Sequence, residues 1–337
     1  MLELTVNSKS PAAITAAFKK IKEMTSTGAV PKTETVHIIL EAGQYRELVR
    51  FNMSSPLVME TAPGVNPEDC VIIADNCESY NSGADNRSVC VFGPNCTSVT
   101  LRGFSVINGH KKNIHDGNTS PDSAEAFFWN NTSGTLFADN MRFEGRQNTL
   151  NLKGFTYFKN CYVTGDVDFI YGDVDTALFE DSSIYLREDN RGDFNGYAVK
   201  SLALANRPGF LFSNCTFTGD KRKKSEIYVA RTLGRGSVLM PKFWDSIALI
   251  NCTVGEEFNR ELVWDDDMML NIYPRGNAKT GIREYRTLSL MHDGTTEDAD
   301  TTYRNVKSYN MTEDDFYKHY VSRFLMLKDT PLARFAE

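Results

Sequence analysis

The sequence predicts an all-β chain: one right-handed parallel β-helix with a helical cap at the amino end and a helix at the carboxyl end. Three observations carry this. Five segments repeat one pattern, in which apolar residues lead to a turn Asn or Asp and then to apolar residues again. They are Leu136-Phe-Ala-Asp-Asn-Met-Arg-Phe143, Tyr157-Phe-Lys-Asn-Cys-Tyr-Val163, Leu178-Phe-Glu-Asp-Ser-Ser-Ile184, Leu211-Phe-Ser-Asn-Cys-Thr-Phe217 and Leu249-Ile-Asn-Cys-Thr-Val254. The turn residues Asn140, Asn160 and Asp181 lie 20 and 21 residues apart, and insertions lengthen the steps to Asn214 and Asn251. Short strands at a period near 20, in phase with one polar corner, mark a solenoid. A β-sandwich also has short strands but lacks that phase. The third observation is that helical periodicity is confined to the two ends.

At the amino end, Ile14, Ala17, Phe18, Ile21 and Met24 give one amphipathic helix over 12–24. Thr35-Val-His-Ile-Ile-Leu-Glu41 reads as a strand, and Gly43-Gln-Tyr-Arg-Glu47 turns into a second, Leu48-Val-Arg-Phe51. One domain is expected throughout: a cap over about 1–34, coils over about 35–285 and a tail over about 286–337. Thr312-Glu-Asp-Asp315 is a capping-box variant. It should open a helix with Phe316, Tyr320 and Phe324 on one stripe, packed on the solenoid as a cap.

The 337 residues are 41% hydrophobic and 24% charged, enough for a large core, with no long apolar run and so no membrane span. The net charge of −7 argues against nucleic acid. It does not exclude an acidic polysaccharide, because a local basic groove can sit on an acidic protein. Met1-Leu-Glu-Leu4 lacks the basic and apolar parts of a signal peptide. The expected location is therefore cytoplasmic, or secreted if a leader has been removed. The cysteines number seven, among them those of Asn160-Cys161, Asn214-Cys215 and Asn251-Cys252, and no CxxC occurs. They read as small buried hydrophobes and argue against zinc; no cofactor or metal is expected.

The most informative run is Gly165-Asp-Val-Asp-Phe-Ile-Tyr-Gly172. Read as a strand, it places Asp166 and Asp168 on one face. Aspartate is a poor strand former, so two carboxylates among Val, Phe, Ile and Tyr point to chemistry or cation binding. A coil spacing near 20 also stacks Glu125, Gln147 or Asn148, and Asp168 on adjacent strands about 4.8 Å apart. An asparagine ladder would explain the amide. It does not explain two acids, whose burial is costly without partners.

These motifs resemble the pectin methylesterases, carbohydrate esterases built on a parallel β-helix. The resemblance spans most of the chain: the amino-terminal helix, Gly43-Gln-Tyr-Arg-Glu47, Gln147-Asn-Thr-Leu150, Gly165–Gly172, Leu233-Gly-Arg235 and the Thr312-Glu-Asp-Asp315 tail fall in the family's order. It implies metal-free hydrolysis of methyl esters of polygalacturonate. The family uses an aspartate nucleophile, an aspartate acid, two glutamines and an arginine. Asp168 matches the nucleophile, Gln147 one glutamine and Arg235 the arginine. The family's acid aspartate is Asn148 here, its other glutamine falls on Glu125, and its Pro-Trp after the arginine is Gly236-Ser237.

The first two changes are reciprocal, which yields an expectation. Asp168 attacks the ester carbonyl, and Asn148 or Gln147 donates to the oxyanion. Glu125 protonates methanol and activates water. Arg235 holds Asp168 ionised. Two other readings stay open: a pectin-binding protein with an impaired site, and a calcium-dependent lyase using Asp166, Asp173 and Asp175.

Phe169, Tyr171, Trp129 and Trp244 are candidate sugar contacts, although aromatics on β-helix strands are more often core. His115-Asp116 reads as a solvated pair. Lys221-Arg-Lys-Lys224 reads as a solvated turn or a contact to uronate carboxylates. No Gly-x-Ser-x-Gly elbow occurs. The expected partner is pectin or a methylated oligogalacturonide, bound by a monomer.

Overall fold

Asparagine corners set the fold. Asn140, Asn160, Asn214, Asn251 and Asp181 all adopt left-handed backbone, with φ between 50° and 54°. Asn and Asp tolerate this region best among residues with a side chain. Each corner turns the chain from one sheet into the next, and identical corners keep successive coils in phase. The computed structural model describes residues 2–111, 122–188, 195–204, 206–222, 224–231, 243–259, 263–265, 275–304 and 307–336.

Among these residues, three long sheets of 11, 10 and 8 strands run the length of a right-handed parallel β-helix. Pairing between coils is parallel: Leu136, Phe137 and Ala138 align with Thr156, Tyr157 and Phe158, and then with Ala177, Leu178 and Phe179. Inside, the coil rise near 4.8 Å suits stacked rings. The Phe158 and Phe179 centroids are 4.6 Å apart at 5°, and Phe179 and Phe212 are 4.9 Å apart. Next to the Asn160, Asn214 and Asn251 corners, Cys161, Cys215 and Cys252 stack inward, and their thiols donate to carbonyls of the preceding coil. All seven cysteines are free and buried, as expected. Burial pushes the Cys70, Cys96 and Cys161 thiols up to about 12.

The amino-terminal helix spans Ala13–Ser26 and buries Ile14, Phe18 and Ile21 over the first coil, with Phe18 4.9 Å from Phe51. Its first residues lack a side-chain cap from Ala12. Glu47 supplies one instead, accepting from the Ile14 and Thr15 amides and the Thr15 hydroxyl. Tyr45 of the same motif donates to the Val6 and Glu41 carbonyls. The cap also contains a strand that the periodicity did not reveal: Leu2–Val6 pairs in parallel with Val36–Leu40.

The carboxyl end corrects the sequence reading. The coils continue past residue 285, through Ile282–Tyr285 and Leu288–Leu290. The Thr312 capping box is present, but its helix ends at His319. Ser322 then caps a second helix, Arg323–Leu327. The break takes Phe324 off the stripe and leaves it 55% exposed, while Tyr320 is buried. The tail does not close the end of the solenoid. It lies along the outside of the 11-stranded sheet, where Phe316, Tyr320, Leu327, Leu332 and Phe335 cover a row formed by Phe137, Tyr157, Leu178, Leu211 and Ala248. Arg323 pairs with Glu180 at 2.6 Å, and Arg334 reaches Ser98.

Candidate active site

The 8-stranded sheet positions the site. Its register runs Phe127, Leu150, Ile170, Val199, Ala230. Two residues before that line stand Glu125, Asn148 and Asp168, so the expected stack of coil positions forms. The geometry of the Asp-Val-Asp run differs from a plain strand. A strand ends at Gly165, Val167 makes an isolated bridge to Gln147, and Asp168 turns the corner with φ 48° before Ile170–Gly172 begins. Asn148 holds the equivalent corner one coil earlier, with φ 65°. Strand alternation holds only along continuous extended backbone, so Asp166 and Asp168 do not share a strand face.

Asp168 is 5% exposed. Its Oδ2 lies 3.4 Å from Lys200 Nζ and 3.4 Å from Arg231 Nη1. Among the described residues, its Oδ1 has no hydrogen-bond partner, and neither does the buried Oε1 of Gln147. Orphan buried acceptors are rare and concentrate at working sites. Lys200 and Arg231 are neighbours in one outward row, Phe128, Asn151, Tyr171, Lys200, Arg231. Lys153 lies over the Phe128 ring, and Arg231 over the Tyr197 ring. Phe128 is 3% exposed beneath Lys153, so the accessible part of the row is its cations, Lys200 and Arg231 with Lys153 beside them, a patch suited to an acidic sugar chain. Sequence reasoning missed Lys200 and Arg231. The insertion before residue 195 breaks the 20-residue period, so only the paired register brings them beside Asp168.

Glu125 is fully buried and engaged elsewhere. It accepts from Arg87 Nε and Nη2, each at 2.6 Å, and from the Tyr171 hydroxyl at 2.5 Å. Glu78 also accepts from Arg87. Hydrogen bonds from Ser82, Arg87 and Gly83 hold Glu78 down at about 2. Burial alone would lower the Arg87 guanidinium; the hydrogen bonds and charge of Glu125 outweigh it and raise Arg87 above its ordinary value. Burial, then the Glu125 charge, pushes the Tyr171 phenol far above the usual tyrosine range. A carboxylate receiving three donors is an acceptor, which differs from the proton donor expected of Glu125.

A stability prediction follows. Arg87→Ala strips Glu125, at 0% exposure, of its ion-pair partner and should cost about 3–5 kcal/mol. Glu125→Gln should cost less, because Glu78 remains on Arg87. Urea unfolding of both variants checks the order; equal losses would mean that the pair does not anchor the coil.

Asn148 donates to Ser123 Oγ at 2.9 Å. Of the expected sugar contacts, Trp129 and Phe169 are corrected: both are 0% exposed and point into the solenoid core. Trp129 sits on the inward phase of the strand Phe127–Trp129, whose Phe128 takes the outward one, and Phe169 lies in the turn before Ile170–Gly172. Tyr171 is outward and held by Glu125. Trp244 is half-buried and pairs through its backbone with Ala203. The calcium reading is not supported by placement. Asp175 pairs with Arg207 at 2.9 Å, and burial raises Asp173 above its ordinary value. Asp166, Asp173 and Asp175 form no metal-ligand group among the described residues. Arg222 of the basic tetrad turns inward and donates to the Asp166 and Arg187 carbonyls. Arg235, the Gly236-Ser237 replacement and His115-Asp116 lie outside the described residues.

A parallel β-helix with a buried carboxylate at a coil corner, beside a row of cations, defines a candidate carbohydrate-acting site. The family comparison makes it specific. The Pectinesterase family model matches residues 10–272, and the chain belongs to that family. Pectinesterase 31 of Arabidopsis thaliana is 30% identical over 213 residues, covering 61% of this chain and 63% of that protein. Pectinesterase 5 of the same plant is 32% identical over 134 residues, 38% of this chain and 22% of its own length. Among solved structures, pectin methylesterase PemA from Erwinia chrysanthemi superposes with a TM-score of 0.69 at 16% identity, covering 98% of both chains. A pectin methylesterase in complex with a hexasaccharide gives 0.68 at 15% identity, covering 98% of this chain and 99% of its own. At these identities the structural likeness establishes the fold. Among the described residues, no helix is long and apolar enough to cross a membrane.

Proposed function

We propose that this protein hydrolyses methyl esters of pectin or methylated oligogalacturonides, with Asp168 as nucleophile and a slow departure of methanol. The observation that carries this reading is the Asp168 carboxylate, aimed by Lys200 and Arg231 through one oxygen and unpartnered at the other. Both cations lie within ion-pair distance of Oδ2 and orient the carboxylate, as a nucleophile requires. Asp168 forms a bond to the ester carbonyl carbon. The side-chain amides of Gln147 and Asn148 donate to the oxyanion that develops. Collapse breaks the carbon–methoxide bond and leaves an acyl-enzyme. Water then cleaves it, freeing the sugar carboxylate and Asp168.

The departing methoxide needs a proton. The Asn148 amide has none to give, and Glu125 is occupied as an acceptor by Arg87 and Tyr171. We therefore assign Glu125 to anchoring and the proton to solvent water. The family match over residues 10–272, together with the resemblance of the Gln147–Leu150 and Gly165–Gly172 segments to the family's motifs, supports this reading. A second reading is a pectin-binding protein with negligible turnover, favoured by the same Asn148 and by the Arg87 hold on Glu125.

Methanol release from methylated oligogalacturonides decides between them. Slow release above the uncatalysed rate, without unsaturated product and without need of calcium, supports the esterase. Oligomer binding without methanol supports the second reading. Calcium-dependent unsaturated product would overturn both.

A further inference from the structure

We propose that Cys77, His110 and Asp122 form a binding site for a zinc-class divalent cation, separate from the ester chemistry. Cys77 follows the strand Cys70–Ala74, and His110 follows Ser105–Asn108. These strands pair in parallel on adjacent coils, so both residues leave the same end of the 10-stranded sheet. Asp122 approaches from the segment leading into Phe127–Trp129. The sulfur, a ring nitrogen and a carboxylate oxygen all lie within 4.8 Å of one another, the one such group of His, Cys, Asp and Glu among the described residues.

The site is built rather than incidental. Cys77 is 0% and His110 5% exposed. His110 Nε2 lies 2.7 Å from Asp122 Oδ2, and its Nδ1 lies 3.1 Å from Asp75 Oδ1. A second carboxylate on the far nitrogen of a ligating histidine fixes the ring and its tautomer in metal sites. Buried Asn108 locks both arms. Its Oδ1 accepts from the Asn76 and His110 amides, and its Nδ2 donates to the Asn76 and Glu125 carbonyls. Ser79 Oγ sits 3.1 Å from Cys77 Sγ and 3.3 Å from Asp122 Oδ2, closing the polar ring.

The bland alternative is a histidine salt-bridged to two aspartates beside an inert thiol. It does not explain why the thiol stands within ligand reach of both His110 and Asp122. One sulfur, one nitrogen and one oxygen select a borderline cation such as zinc over calcium or magnesium, which prefer oxygen alone. Three protein ligands leave a fourth position for water. When the metal binds, the Cys77 proton passes to solvent, and Asp122 exchanges its histidine contact for the ion. The absence of CxxC is no obstacle, because the ligands come from separate coils.

The test is calorimetric titration of the EDTA-treated, desalted full chain with zinc, together with the absorption spectrum of its cobalt(II) form. One equivalent should bind. Cys77→Ser and His110→Gln should each weaken binding by at least about tenfold, and Asp75→Asn by about 10- to 100-fold. The wild-type cobalt form should show a thiolate-to-cobalt charge-transfer band that Cys77→Ser lacks. Failure of the wild-type protein to bind zinc stoichiometrically overturns the proposal, and this arm needs no variant to fold. A cobalt spectrum without a thiolate band, or Asp75→Asn binding as tightly as wild type, also overturns it.

Discussion

Replacing Asn148 by aspartate is expected to raise methanol release by about 10²–10⁴-fold, the usual contribution of a positioned general acid. The substitution suits the site. Asn148 occupies left-handed backbone that aspartate also tolerates. The Ser123 hydroxyl, now an acceptor from the amide, can rotate to donate to a carboxyl. The new acid would stand one coil from Asp168. A neighbouring like charge raises a carboxyl pKa and keeps it protonated until methoxide needs the proton. Initial rates for wild type and Asn148→Asp on one methylated oligogalacturonide settle the matter. An unchanged rate would mean that the chain draws its proton from a group already in place, with Tyr171 and Glu125 the first to test.

Asp168→Asn should lose methanol release to the detection limit, a fall of about 10⁴-fold or more as in other nucleophile removals. Asparagine is the better probe than alanine. With φ at 48°, alanine would add a backbone cost of about 1–2 kcal/mol and confuse misfolding with lost chemistry. The amide keeps the shape and the corner and removes the charge that Lys200 and Arg231 hold. Oligomer binding should persist, because the partly exposed cations beside the site, Lys200 and Arg231, are untouched. Methanol release at the wild-type rate would remove Asp168 from the reaction.

The solenoid was legible because its corners are chemical. Asn140, Asn160 and Asp181 recur where the backbone must go left-handed, and the cysteines after Asn160, Asn214 and Asn251 mark the inward phase. The stacking of Glu125, Asn148 and Asp168 followed from the same period. What stayed hidden was whatever the period does not encode. A strand of three residues such as Phe127–Trp129 is too short to reveal its inward side, and Phe169 lies in the turn between two strands, so the sequence pattern does not show that Trp129 and Phe169 are core. Lys200 and Arg231 sit beyond an insertion that breaks the count. Arg87 meets Glu125 across 38 residues with no shared motif, so the exchange at positions 125 and 148 read as a moved acid. The structure ties the new carboxylate to a guanidinium, which a glutamine would not neutralise. Leu2–Val6 was missed because one edge strand has no repeat to join.

The strap along the 11-stranded sheet changes how this chain should come apart. Coils that touch only their neighbours behave as a one-dimensional array, in which an end can fray without disturbing the middle. Here Tyr320 engages Arg283, Arg323 engages Glu180, and Phe335 stacks on Phe137 at 4.9 Å. One short segment thus links coils far apart in the stack. Fraying of the late coils must release contacts on early ones, so the array gains long-range coupling and unfolds more nearly as a single cooperative unit.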